Sequence, residues 1–273
     1  MVVRTETWSR TRTLIARRRI LGLLISRDLK VKYSDSTLGY VWTVLEPLMM
    51  GAVYWFVFTK VFPRGAATGS PYLVFLLCGM LPWQWASGVI SGSSRSISGE
   101  ARLIRSVDVP REIWVLRTVG SKFIEFLFSL PVLFAFMIIL HKGANWYILM
   151  WPLAMGLQWV TLLGIAFILA PVCVMVSDVE RLMRIIVRVL FYMCPVLYGS
   201  EKVLQGKHIP EPIKQFYLYN PFTTILSMYR GAVFRNELPG PDVALRGTLV
   251  AFLLLAIGVA VFRRMEPDVL KEI

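Results

Sequence analysis

Long apolar runs, most of them close to the length of a bilayer crossing and separated by short charged blocks, constrain this chain more than any other feature. A helix needs about 20 mainly apolar residues to cross the hydrocarbon core, where its backbone polar groups find no water and must bond within the helix. Such runs recur at about 39–61, 72–97, 113–140, 146–176, 185–199 and 243–262. The sequence therefore predicts an all-α integral membrane protein with six transmembrane helices, the fifth being the shortest. Hydrophobic residues make up 56% of the 273 and mean hydropathy is +0.60, above the range of soluble domains.

Charge orients these spans. A net charge of +13 would point to nucleic acid in a soluble protein, but here Lys and Arg lie beside the apolar runs, as in Arg17 to Arg19, Arg102, Arg105, Arg111, Arg181, Arg184, Arg263 and Arg264. Cytoplasmic loops carry such an excess, so these blocks and both termini are placed in the cytoplasm, and no basic surface remains for nucleic acid. No secretory signal is expected, because Arg27, Asp28, Lys30 and Lys32 interrupt the first apolar stretch. Leu14, Ile15, Leu21, Leu24, Ile25 and Leu29 recur near helical spacing opposite basic residues. That pattern describes an amphipathic helix lying on the membrane, and it serves equally for a helix docked on a soluble partner. One domain results: an interface segment at 1–38, the six-span region at 39–262, and a tail at 263–273 that returns to water.

Little in the sequence supports catalysis. Cys78, Cys173 and Cys194 each sit inside an apolar run and read as small core residues, without disulfide or metal spacing. His141 and His208 are the only histidines, too few and too far apart for a zinc site or a triad, so no catalytic, metal or cofactor residues are assigned. No GxxxxGK[ST] phosphate loop occurs; the nearest string, at 199–208, has the wrong spacing. If the chain drives active transport, ATP and Mg must be bound by another subunit, and energy must arrive through a cytoplasmic contact. The segment 99–112 suits that role: Leu103 and Ile104 give apolar contact, Glu100, Arg102, Arg105 and Asp108 give charged anchors, and Pro110 fixes the exit. A solvated, inside-positive loop has the same composition.

Aromatics crowd two spans, with Trp42, Tyr54 and Phe58 in the first and Phe191, Tyr192 and Tyr198 in the fifth. Sugar rings stack on such faces, which lets a polymer slide, although packing between helices or exposure to lipid accounts for any one of these residues. Glu46 is an ionisable group within an apolar run and calls for a wet cavity or a partner. Arg27, Lys30, Lys32 and Tyr33 precede it and would attract an anionic lipid diphosphate, or anionic phospholipid in general. Downstream, Pro210, Pro212 and Pro221 break 209–230 into short helices carrying Phe216, Tyr217, Tyr219, Phe222 and Tyr229, read as a re-entrant external gate or as an aromatic belt. Pro47, Pro82, Pro131, Pro171 and Pro195 are each expected to bend a span.

The string RDLKVKYSDSTLGYVWTVLEP at 27–47, LIRSVDVPRE at 103–112, Asn220-Pro221 and Tyr229-Arg230 together resemble the membrane subunit of an ABC-2-type ABC exporter for lipid-linked polysaccharide. The resemblance covers nearly the whole chain. It implies that the Leu38-Gly39 turn precedes the first span and that 99–112 is a coupling helix seated in a nucleotide-binding subunit. It further implies a homodimer with two separate ATPase subunits in a bacterial inner membrane, moving a polyprenyl-diphosphate-linked glycan, O antigen or cell-wall galactan, from the inner leaflet outward. Teichoic acid and capsule exporters are near relatives. Export of a small hydrophobic drug or lipid is a second reading, and a membrane-embedded glycosyl- or acyltransferase a third, which the missing His and carboxylate constellation disfavours.

Overall fold

The structure, a computed structural model, describes residues 16–34, 39–57, 60, 71–106, 109–143, 145–206 and 209–272. Among them every regular element is helical. The chain opens with α1 (Arg18–Ser34). A 3-10 turn at Gly39–Val41 comes next, with Gly39 at φ +49, and leads into α2 (Trp42–Phe56). A side chain at Gly39 would be strained by that left-handed backbone, which is the physical content of the glycine there.

Beyond α2 the chain forms α3 (Tyr72–Ser93), then a 3-10 turn at Ser98–Glu100, the short α4 (Ala101–Ser106) and the long α5 (Glu112–Ile139). A 3-10 turn at Trp146–Met150 precedes α6 (Trp151–Met175), and α7 (Asp178–Met193) begins almost at once. Three short helices, α8 (Ser200–Leu204), α9 (Glu211–Tyr219) and α10 (Pro221–Gly231), lead to a last helix, α11 (Pro241–Glu272).

Four of these helical stretches are long and apolar enough to cross a membrane: α3, α5, the run through α6, and α11. Their burial ranks them by position. The most apolar window is 78% buried in α3 but only 22% buried in α5 and in α11, so α3 is the central post and the other two turn most of their surface outward. Aromatics bind the post to its neighbours, since Trp85 on α3 lies 4.9 Å from Phe123 and 5.4 Å from Phe126 on α5, and Phe123 meets Trp159 on α6 edge-on at 5.0 Å. One polar staple crosses the same core, where Gln158 Nε2 of α6 donates to the carbonyl of Pro82 in α3 at 2.8 Å. A close approach of backbones joins α6 to α11. A Cβ added to Gly164 would stand 2.6 Å from the main chain of Leu254 and Leu255, a contact only glycine permits.

The structure departs from the sequence expectations at the fifth span. Residues 185–199 do not form one helix: α7 ends at Met193, and the chain turns through Cys194 to Gly199 before α8. Pro195 cannot donate to a continuing helix. The first span is represented by the 15 residues of α2, and most of the segment between α2 and α3 lies outside the described residues. Residues 263–272 continue the last helix. α11 continues to Glu272, anchored by Phe262 against Phe167 at 5.2 Å and by buried Val269.

Candidate functional site

Charged residues gather where α1, the 3-10 turn at Ser98–Glu100 and the first half of α5 meet. Glu100 accepts from Arg27 Nη2 at 2.5 Å and from Arg117 Nη1 at 3.0 Å. Arg117 also forms an ion pair from Nε to Asp28 Oδ2 at 2.9 Å, and Ser121 Oγ donates to the same carboxylate oxygen at 3.3 Å. Partial burial pushes the Glu100 carboxyl up, but the hydrogen bonds and charges of Arg117 and Arg27 outweigh it and hold the group below its ordinary value. A second cluster lies on the α7 side, where Glu180 accepts from Arg95 Nε at 2.8 Å and from Arg184 Nη1 at 2.7 Å. The hydrogen bond from Arg95 chiefly keeps Glu180 below the usual carboxylate range. The segment joining α3 to α5 is thus tied at its start to α7 and at its middle to α1 and α5.

Beside the first cluster a cavity of about 240 Å³ opens between α1, α2, α3 and α5. Its wall includes Lys32, Trp42, Glu46, Gln84, Lys122 and Glu125. Glu125 accepts from Lys32 Nζ at 2.8 Å and from Lys122 Nζ at 2.9 Å, so a single carboxylate holds both ammonium groups. Glu46 and the Gln84 amide make no side-chain hydrogen bond or ion pair among the described residues.

Of the residues the sequence proposed for substrate entry, Lys32 and Glu46 come together in this wall, beside Trp42 from the aromatic set, with Gly39 at the turn leading to it. Arg27 is instead bound to Glu100, and Lys30 is exposed beyond the cavity wall. Leu38, Phe58 and Asp108 lie outside the described residues, as do the side chains of Tyr33 and Tyr54. The coupling residues divide: Ile104 is buried, Leu103 is half-buried, Glu100 is engaged as above, and Arg102 and Arg105 face outward. Arg102 and Leu103 line an open cleft of about 650 Å³ together with Arg27, Gly99 and Ser106.

The aromatics sort into separate places rather than one row. Trp42 belongs to the cavity, Tyr192 is exposed on α7, and Phe191 packs 6.1 Å from Trp83 and 5.1 Å from Tyr192. Tyr198 donates to the Tyr192 carbonyl at 2.7 Å and shares a short hydroxyl contact with Tyr217, beside which Phe216 stands at 5.8 Å. Tyr219 is exposed under Arg246. Asn220 caps α10 by accepting from Phe222 N at 3.0 Å, immediately before Pro221. Phe222 and Tyr229 are core residues, the first against Trp83 at 5.6 Å and the second between Phe126 at 5.9 Å and Trp151 at 6.0 Å.

Sequence reasoning missed Arg230, which took no part in the site assignments. It is 1% exposed and its Nη1 donates to the carbonyls of Pro195 at 2.6 Å and Tyr198 at 2.7 Å, with Nη2 on that of Val196. Its guanidinium lies 3.9 Å from the Phe75 ring centroid, admitted by Gly79, where a Cβ would stand 2.5 Å from Nη2. The turn after α7 is therefore held from behind by a side chain of α10. Arg117, Ser121 and Glu125 were missed as well, although their spacing of four places them on one face of α5 and could have exposed the polar stripe.

Along most of its length the sequence is similar to known proteins. The O-antigen export system permease protein RfbA of Klebsiella pneumoniae is 27% identical over 249 residues, 90% of this chain and 92% of that protein. The protein of the same name from Myxococcus xanthus is 28% identical over 258 residues, 93% and 96% of the two chains. The polysialic acid transport protein KpsM of Escherichia coli is 22% identical over 257 residues, 90% and 93%. The model of the ABC-2 type transporter family matches residues 20–234, from α1 through α10 and so across the charged clusters and the cavity alike, and the chain belongs to that family.

Proposed function

We propose that this chain is the membrane permease of an ATP-driven exporter that carries a polyprenyl-diphosphate-linked polysaccharide, O antigen or cell-wall galactan, outward across a bacterial inner membrane. The observation that carries the reading is likeness along about nine tenths of the length to two O-antigen export permeases, at 27% and 28% identity against 22% for the polysialic acid transporter. The chain works as a homodimer with two separate ATPase subunits that bind ATP and Mg. Each copy crosses six times, at about 39–61, 72–97, 113–140, 146–176, 185–199 and 243–262, and both termini lie in the cytoplasm. The segment 99–112 receives the ATPase, its exposed Arg102 and Arg105 beside an open cleft and its Glu100 passing displacement to α1 and α5. The short helices α9 and α10 form the outer gate.

Deletion of the gene in a glycan-producing host tests this. Lipid-linked glycan should accumulate on the cytoplasmic side and disappear from the surface, and the wild-type gene should restore it. Surface glycan that persists unchanged in the deletion strain would exclude the reading.

A further inference from the structure

We infer that the cavity between α1, α2, α3 and α5 is a binding site for an uncharged pyranose ring, and that it takes a sugar of the glycan rather than the diphosphate of its lipid anchor. The inference rests on the export reading and names which chemical part of that substrate the site recognises. Charge comes first. An anion site needs cations free to pair, but Lys32 and Lys122 are both committed to Glu125, and Glu46 adds a carboxylate with no cation on it among the described residues. Two lysines and two glutamates leave the wall without net charge, and a diphosphate would meet the Glu46 carboxylate unshielded.

Hydrogen-bonding capacity comes second. The Glu46 carboxylate accepts two hydrogen bonds and the Gln84 amide both donates and accepts, which matches the neighbouring hydroxyls of a sugar ring. Trp42, itself 46% exposed, lines the cavity and supplies a flat apolar surface of the kind on which the C–H side of a pyranose rests. Size comes third. At about 30 Å³ per water the cavity replaces about eight waters, below the roughly 300–1,000 Å³ of pockets that enclose larger ligands, so it suits one ring and not a chain.

The test uses the permease with its ATPase subunits in detergent, titrated with two probes and read by native mass spectrometry. One probe is undecaprenyl diphosphate, and the other is the same lipid bearing a single N-acetylglucosamine. The sugar-bearing probe should bind about tenfold more tightly to the wild type. Glu46→Leu and Gln84→Leu should each remove most of that preference and leave the bare lipid within about twofold, which also shows that the variants are folded. Glu125→Gln, which releases charge from the two lysines, should raise affinity for the bare diphosphate. Equal binding of both probes to the wild type, an equal loss of both in the two leucine variants, or no binding of either overturns the inference. Any of these results in a strain whose surface glycan still depends on the chain leaves the export reading standing; independence of surface glycan from the chain removes that reading itself.

Discussion

At the scale of single residues, the buried Arg230 holds the turn after α7. Its three acceptors are carbonyls of a turn that has no helix to satisfy them, and each buried carbonyl left unpaired costs about 1–3 kcal/mol. Arg230→Met should therefore destabilise the folded chain by on the order of 3 kcal/mol, after allowance for the relieved burial of the charge. Thermal unfolding of the detergent-solubilised protein measures it, and Arg230→Lys should recover only part of the loss, because an ammonium cannot copy the planar fork. An unchanged midpoint for Arg230→Met would show that the turn stands without it.

Glu100 gives the second residue-level expectation. Its folded-state pKa lies below that of an unfolded glutamate, about 4.3, so its contribution is present above that pH and is lost as pH falls through the folded value. Glu100→Gln should be less stable than the wild type at pH 7, and the gap between the two should close on acidification below about pH 4. A gap that stays constant over that range would mean that the Arg27 and Arg117 pairs contribute nothing. Glu180 titrates in both proteins and cancels from the comparison.

Among elements, the crossing of α6 and α11 depends on the absence of side chains. Lipid-exposed helices gain no hydrophobic drive from meeting each other, so close backbone packing must supply the attraction, and Gly164 and Gly258 make that approach possible. Gly164→Ala places a methyl against the main chain of Leu254, which cannot yield as a flexible side chain would. The cost should be about 1–3 kcal/mol or more, seen as a lowered unfolding midpoint and as faster proteolysis between the two helices. Gly156→Ala on the same helix meets nothing within 4 Å and should be neutral or slightly stabilising, which makes it the control.

For the whole molecule, the proposed export reading makes the joint between α3 and α5 the point at which force would enter. It is clamped to α1 and α5 through Glu100 and to α7 through Arg95, while Arg105 is exposed and makes no side-chain bond among the described residues. Arg105→Glu should leave membrane insertion and the unfolding midpoint unchanged but lower export and the stimulation of ATPase activity in the assembled exporter. The purified permease alone should hydrolyse no ATP at all. Equal export by Arg105→Glu and the wild type, or hydrolysis that survives removal of every other polypeptide, would count against the division of labour proposed for the two subunits.

Apolar length is a local property, and it made much of the fold legible from sequence. Four long helices appear where spans were expected, three of them within a few residues of the expected bounds and the last running on to Glu272, because a run of that length in lipid has no alternative to bonding its backbone internally. The short helices likewise begin at their prolines, Pro210 capping α9 with Pro212 in its first turn and Pro221 opening α10, where a missing donor costs no helical bond. The absence of a phosphate loop and the family resemblance also required only the order of residues. Partnerships did not. Arg27 and Glu100 are 73 residues apart, Lys32 and Glu125 are 93, and Arg230 reaches back 35 to Pro195, separations across which no periodicity or propensity acts. An arginine before a span reads as a free cation until the fold sets a carboxylate beside it. Tertiary structure alone decided that Arg27 braces a joint instead of attracting an anion, that Phe222 and Tyr229 fill a core, and that one neutralised cavity gathers Lys32, Trp42 and Glu46. Side-chain charge and shape are written in the sequence, but their effect depends on what lies within a few ångströms, and that distance is set only when the helices pack.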